Sequence, residues 1–336
     1  MNSSPSTSRG LWWTLAAVWM AVLIGGAVYL QHQHTPFSAQ VGAAILVAAA
    51  IEASLYVASG FPAARDRVRR LPRKSLWLSA STLPAYLIYS LGMGTFTWKA
   101  LLVLAALAAI VSFWYRLLPA NLLTDAGFLA VIAPGLLTGL IPFLYPPLSK
   151  QLRTDYVGHI MWLRLSYWAV LTVRDRADSK GDFGFGFLPR RADWKIGAAY
   201  FAACVPVAAA VLRAVQPMRL KDHLTWSVTP LVAIGTFFGL LWVVALSEEL
   251  FFRGLLQPQI SKLLGGAVQG LVATSVLFGL VHLGFGGRFP NWRMVLLAGI
   301  LGLFCGRAAQ VAGSIRAGMV THALVVTLYR VFLVNR

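Results

Sequence analysis

The chain has 336 residues, 58% of them apolar and only 12% charged. A soluble domain carries about 25% charged residues, so a cytosolic globule is excluded. The formal charge of +18 with a mean hydropathy of +0.70 fits a membrane protein with Arg-rich loops, and nucleic-acid binding is not needed to explain it.

A helix needs about 20 mostly apolar residues to cross the hydrocarbon core. Segments of that kind run over 11–30, 41–60, 76–94, 100–118, 127–147, 196–214, 230–257, 267–284, 294–311 and 317–334. The expected fold is an all-α polytopic membrane helix bundle of about ten transmembrane helices. The first stretch is long, lacks a small-residue cleavage pattern and reads as a retained span. Segment 159–173 is shorter, carries Arg164, and reads either as a tilted span or as an interfacial helix. Glu52, in the second span, is expected to hydrogen-bond while protonated or to pair with an Arg from another helix.

Residues 65–74 hold Arg65, Arg67, Arg69, Arg70, Arg73 and Lys74 against Asp66. A short loop of this composition is expected on the cytoplasmic side, which puts the N-terminus there too. The loop 174–195 carries six basic residues and four Asp around Asp182-Phe-Gly-Phe-Gly-Phe. It reads as a structured membrane-surface turn with its aromatics at the headgroup level, because no strand–helix context supports a phosphate loop. Three Gly pairs four residues apart, Gly135/Gly139, Gly266/Gly270 and Gly302/Gly306, allow close helix packing.

The last third of the chain concentrates the costly charges. The sequence has three glutamates: Glu52, Glu248 and Glu249. No charge occurs over 224–247, and then Ser247-Glu248-Glu249 is followed by Arg253. Glu249 and Arg253 share a helix face and are expected to pair. Glu248 points about 100° away and is left free for chemistry. His282 lies in the charge-free run Leu263–Gly287, in Phe278-Gly-Leu-Val-His282. A turn at Gly265-Gly266 places Glu248 and His282 equally far on either side, so two antiparallel helices bring them to one depth. His322 is on the last span, able to face the pair. A carboxylate and two histidines suit water activation and oxyanion stabilisation, hence acyl-bond hydrolysis. No Gly-x-Ser-x-Gly elbow is present, and neither Cys204 nor Cys305 has a neighbouring His. The two cysteines give neither a disulfide framework nor a thiolate zinc site. A zinc site from His and Glu of three helices remains a rival reading.

At these residues the sequence resembles the CPBP family of intramembrane glutamic endopeptidases, which includes CAAX prenyl proteases and bacteriocin-processing proteins. The Glu-Glu-x-x-x-Arg motif matches Glu248, Glu249 and Arg253, and Phe-x-x-x-His matches Phe278 and His282. The third motif is His followed four residues later by Asn or Asp; His322 matches, and position 326 is Val326. The resemblance covers about 230–334. It implies that Glu248 and His282 activate water, that Glu249 and Arg253 hold the geometry, and that His322 assists the oxyanion. Val326 puts the polar partner of His322 and the substrate in question, and Thr327 is an imperfect substitute.

The expected organisation is an N-terminal accessory multi-span region, 1–220, and a catalytic-type helix bundle, 228–334. The expected function is an intramembrane peptidase in a prokaryotic cell membrane. Its expected partners are membrane lipids and a protein or peptide substrate, lipidated or bearing a C-terminal sorting signal, with no cofactor and no nucleic acid. Two other classes compete: an inactive scaffold or immunity protein of the same fold, supported by Val326, and a proton-coupled transporter. The transporter predicts an internal repeat, and the first half has no counterpart to Glu248–Arg253.

Overall fold

Long apolar segments in a chain this poor in charge become helices, because a helix satisfies its own backbone polar groups. A computed structural model describes residues 5–32, 37–137, 139–150, 152–174, 183–215, 218–221, 227–287 and 289–335. The helices form two units, Met1–Ala177 and Asp178–Arg336.

The first unit contains α1 (Gly10–Gln31), α2 (Ala39–Ala58), α3 (Pro62–Arg70), α4 (Lys74–Ala80), α5 (Leu83–Gly92), α6 (Trp98–Leu117), α7 (Leu122–Leu137), α8 (Leu140–Leu144) and α9 (Tyr156–Trp168). Ser38 and Thr97 cap α2 and α6 through their hydroxyls, at 3.2 and 3.1 Å from Val41 N and Ala100 N. The expected span 76–94 is broken between α4 and α5, where Ser81 closes one helix and Thr82 and Pro84 open the next. The Arg-rich segment expected as a loop is mostly helix: Pro62 starts α3, and Arg67, Arg69 and Arg70 fill its last turn, where cations suit the helix dipole.

The expected choice for 159–173 resolves against an interfacial helix. α9 continues as a π-helical turn, Ala169–Val173, and the side chains of Trp162 through Val173 are buried on all sides. A helix apolar and buried all round belongs inside a bundle. Its one internal charge is neutralised: Arg164 Nε donates to Glu52 Oε2 at 2.6 Å and Nη2 donates to Ser81 O at 2.9 Å. Of the two roles expected for Glu52, the Arg pair is the one formed. Gly135 gives α9 room, since a Cβ there would sit 2.3 Å from Trp162 Nε1.

The second unit contains α10 (Arg191–Val215), α11 (Thr229–Leu263), α12 (Ala267–Leu280), α13 (Trp292–Ala312) and α14 (Ile315–Phe332). Within this unit α10, which precedes the expected boundary between 220 and 228, packs on α13 and α14. A short antiparallel ribbon joins Met218–Leu220 to Leu333–Asn335, the one strand pairing among the described residues. The α11–α12 turn falls at Gly265, with φ +72, as the glycines suggest. α12 and α13 approach closely: a Cβ on Gly279 would lie 2.5 Å from Val295 O, and one on Gly302 would lie 3.2 Å from Ser275 Cα.

Residues 175–182 of the expected surface turn, Asp182 included, lie outside the described residues. The rest of that turn faces inward more than the sequence suggests. Phe185 is buried, and the Ile315 N–H donates to Phe183 O at 3.0 Å, pinning the segment to the start of α14. Among the described residues, seven helices are long and apolar enough to cross a membrane, and two shorter apolar helices accompany them. Their exposed Leu, Ile, Val, Phe and Trp side chains suit contact with lipid.

Candidate active site

α11 carries the acidic pair at the point where its winding changes. Leu246–Glu249 is a single α-helical turn between π-helical stretches Leu240–Ala245 and Leu250–Leu256. π turns inside α-helices occur frequently at functional sites. Glu249 is fully buried, and its Oε2 lies 3.1 Å from Arg253 Nε. The pair is an ion pair without hydrogen-bond alignment, since neither atom meets a partner at bonding geometry. Arg253 donates instead from Nη2 to Gly302 O at 3.1 Å and lies over the Phe278 ring, 4.5 Å from its centroid. The cation is thereby held by a carboxylate, a carbonyl and an aromatic face.

His322, on α14, is buried. Its Nδ1 donates to Glu249 Oε1 at 3.0 Å. Its Nε2 lies 3.7 Å from Glu248 Oε2, beyond hydrogen-bond reach. Glu248 is the opened member of the site, with its side chain 30% exposed. His282 follows the end of α12, and its Nδ1 donates to Phe278 O at 2.8 Å. A carbonyl only accepts, so Nδ1 carries the proton and Nε2 is the nitrogen left for the cavity. Phe278 is buried and joins three of these side chains: its ring lies 5.0 Å from His282, 6.0 Å edge-on from His322, and under Arg253.

Glu248, His282 and His322 line one cavity of about 200 Å³. Val326 also lines it, one turn beyond His322. The rest of the wall is apolar, with Val205, Leu212, Leu297 and Leu301 among its members, and Arg330 is the one cation on it. Glu249 and Arg253 sit behind this wall and do not line it. Thr327 does not line it either; its hydroxyl is buried and unpaired among the described residues. Glu52 belongs to the first unit and is not part of this cluster.

Cys305 was not singled out by the sequence, because a lone Cys on an apolar span carries no pattern. It stands with Glu249 and His322 so that one donor atom of each lies within 4.8 Å of the others. Zinc takes such donors. Here, however, Glu249 already faces the Arg253 guanidinium on one oxygen and the His322 N–H on the other. A divalent cation would have to displace that proton and sit against a fixed positive charge, so this donor set fits a metal poorly.

Residues 230–328 match the family model described as type II CAAX prenyl endopeptidase Rce1-like. The resemblance to the CPBP and CAAX proteases is thereby borne out, over the segment that carries α11 to α14. No curated protein matches the chain, and no solved structure does. Long apolar helices, together with the match of residues 230–328 to a membrane-protease family model, make this an integral membrane protein.

Proposed function

We propose that the chain is an intramembrane endopeptidase that hydrolyses a peptide bond beside a membrane-embedded or lipidated segment, using water activated by Glu248 and His282. The observation that carries this reading is the convergence of Glu248, His282 and His322 on one largely apolar cavity. Water held there is flanked by the Glu248 carboxylate and the free Nε2 of His282. Glu248 takes a proton as the water oxygen attacks the carbonyl carbon, and His282 accepts the second O–H and fixes its direction. The proton on Glu248 then passes to the amine as the C–N bond breaks, which leaves a carboxylic acid and an amine.

Charge develops on the carbonyl oxygen during attack, and preorganised donors aimed at that position lower the barrier. His322 serves this role with Nε2 protonated, while Glu249 holds Nδ1 and fixes the ring. Glu249 and Arg253 are positioning residues, since neither lines the cavity. The apolar wall suits a hydrophobic substrate segment, and exclusion of bulk water strengthens each charge within it. The Arg-rich segment 65–74 supports a cytoplasmic N-terminus.

The test is cleavage of lipidated and transmembrane peptides by the purified wild type and by Glu248→Gln. The expected loss is about 10²–10⁴-fold for removal of a general base, with the thermal midpoint unchanged, because Glu248 is partly exposed and unpaired at bonding distance. Equal activity of the two proteins sinks the assignment.

A further inference from the structure

The first unit contains a second cavity, of about 460 Å³, lined by Arg69, Lys74, Ser75, Arg116, Thr172, Val173 and Arg174. Four cations line it and no carboxylate does. They come from the ends of separate segments: Arg69 from α3, Lys74 from the start of α4, Arg116 from the last turn of α6, and Arg174 from the residue after the α9 π turn. Because α6 and α9 both terminate at this cavity, it lies at one end of the unit's bundle. That end is the one bearing the basic 62–74 segment.

Three of the four cations have a structural reason to be there. Arg69 donates to Leu171 O from Nε and Nη2 at 3.2 and 2.8 Å, and Lys74 Nζ donates to Thr172 O at 2.8 Å. These bonds satisfy carbonyls at the end of α9. Arg174 is buried and grips Asp125 with two bonds, at 3.0 and 2.8 Å. Arg116 suits the dipole at the C-terminal end of α6 but satisfies no carbonyl and pairs with no carboxylate. It is exposed, and it makes no hydrogen bond or ion pair with a described residue. Asp66, 2.6 Å from Arg69 Nη1, and Asp125 offset two of the four charges, so Lys74 and Arg116 leave the cavity net positive and favour an anion there.

We infer that this cavity is a binding site for a phosphate group, with the headgroup of an anionic phospholipid as its source. Guanidinium forks and an ammonium match phosphate oxygens in charge and geometry. Basic pockets at the ends of transmembrane helices lie at the depth of such headgroups. The site is separate from the Glu248 cavity, and its occupancy does not depend on the proposed hydrolysis.

The experiment is native mass spectrometry of the full chain in mild detergent, titrated with phosphatidylglycerol or phosphatidylcholine. Wild type should retain phosphatidylglycerol in preference. Arg116→Gln should bind it about fivefold more weakly, the contribution of one basic residue near an anionic surface, and Arg116→Lys should recover most of that loss. Arg213→Gln, which removes an exposed arginine of the other unit, should leave binding unchanged. A parallel arm measures thermal stabilisation by inorganic phosphate. Stabilisation that Arg116→Gln abolishes, without selectivity between the two lipids, upholds the phosphate site and assigns it to soluble phosphate. Equal retention of the two lipids with no effect of phosphate overturns the inference, as does equal weakening by Arg116→Gln and Arg213→Gln.

Discussion

His322 Nδ1 lies 3.0 Å from Glu249 Oε1, which joins the last span to the acidic pair of α11 through a buried hydrogen bond. The bond extends a chain from Arg253 through Glu249 to His322, whose far nitrogen faces Glu248 at 3.7 Å. A carboxylate that orients an imidazole while the opposite ring nitrogen does chemistry is a recurring arrangement in hydrolases. Sharing this one carboxylate between a cation and an imidazole makes both depend on it.

Glu249→Gln should therefore damage stability as well as activity. The glutamine oxygen can still accept from His322, but the buried guanidinium of Arg253 loses its counter-charge. Removing one partner of a buried pair costs about 3–5 kcal/mol. The double variant Glu249→Leu with Arg253→Leu should unfold at a higher denaturant concentration than Glu249→Gln alone, and it should stay inactive. A double variant less stable than Glu249→Gln would show that the pair is not the source of the loss.

The parts of this site that follow local rules were legible in the sequence. Glu249 and Arg253 are four apart on a helix, so their pairing follows from helical geometry alone. The Gly265 turn follows from a backbone conformation that favours glycine, and its position predicts that Glu248 and His282 come to one cavity. Contacts between spans distant in sequence were not legible. Nothing in Thr321-His322-Ala323 says that Nδ1 will meet Glu249 rather than a substrate oxyanion. Cys305 beside the same carboxylate, and the π turns that flank Leu246–Glu249, leave no residue pattern either. The span count divides in the same way. Seven of the expected segments became long helices, whereas 76–94 and 127–147 broke near Thr82 and Gly139, and 267–284 kept only the 14-residue helix Ala267–Leu280.

Metal removal separates the two hydrolytic chemistries. Glu249, Cys305 and His322 are close enough to share an ion, yet the Arg253 cation beside Glu249 opposes one. Activity should survive prolonged dialysis against EDTA and 1,10-phenanthroline, and elemental analysis should find no stoichiometric zinc. Cys305→Ser should cleave at the wild-type rate. Loss of activity on chelation, with recovery on adding zinc, would assign the cluster as a metal centre.

Acid should reveal an ion pair in the first unit. Arg153 donates to Asp155 with two bonds, at 2.9 and 2.6 Å, just ahead of α9. The Arg153 hydrogen bond is the main reason the Asp155 carboxyl is held below the usual aspartate range. A depressed native value stabilises the fold above the unfolded pKa and is lost as pH falls through the native one. The thermal deficit of Asp155→Asn should thus be full above about pH 4, the ordinary aspartate value, and should shrink on further acidification. Because Arg153 is largely exposed, the deficit should be small and sensitive to salt. A deficit independent of pH assigns the role of Asp155 to something other than its charge.

Val326 is the position at which this chain departs from the motif that His322 begins, and it lines the cavity one turn beyond that histidine. Two readings of the valine make opposite kinetic predictions. If its methyls only close the wall, Val326→Asn adds an amide on the same helix face as His322, four residues on. One net hydrogen bond of about 1 kcal/mol to the developing oxyanion then raises kcat by about fivefold and leaves KM unchanged. If the valine instead seats the substrate, the same substitution buries an amide against an apolar segment, and the penalty appears in KM. The surrounding wall of Val205, Leu212, Leu297 and Leu301 is intact in both cases, so it gives no reason for binding to fail on size. We expect the kcat effect. A rise in KM with kcat constant would instead make position 326 a determinant of which substrate this cavity accepts.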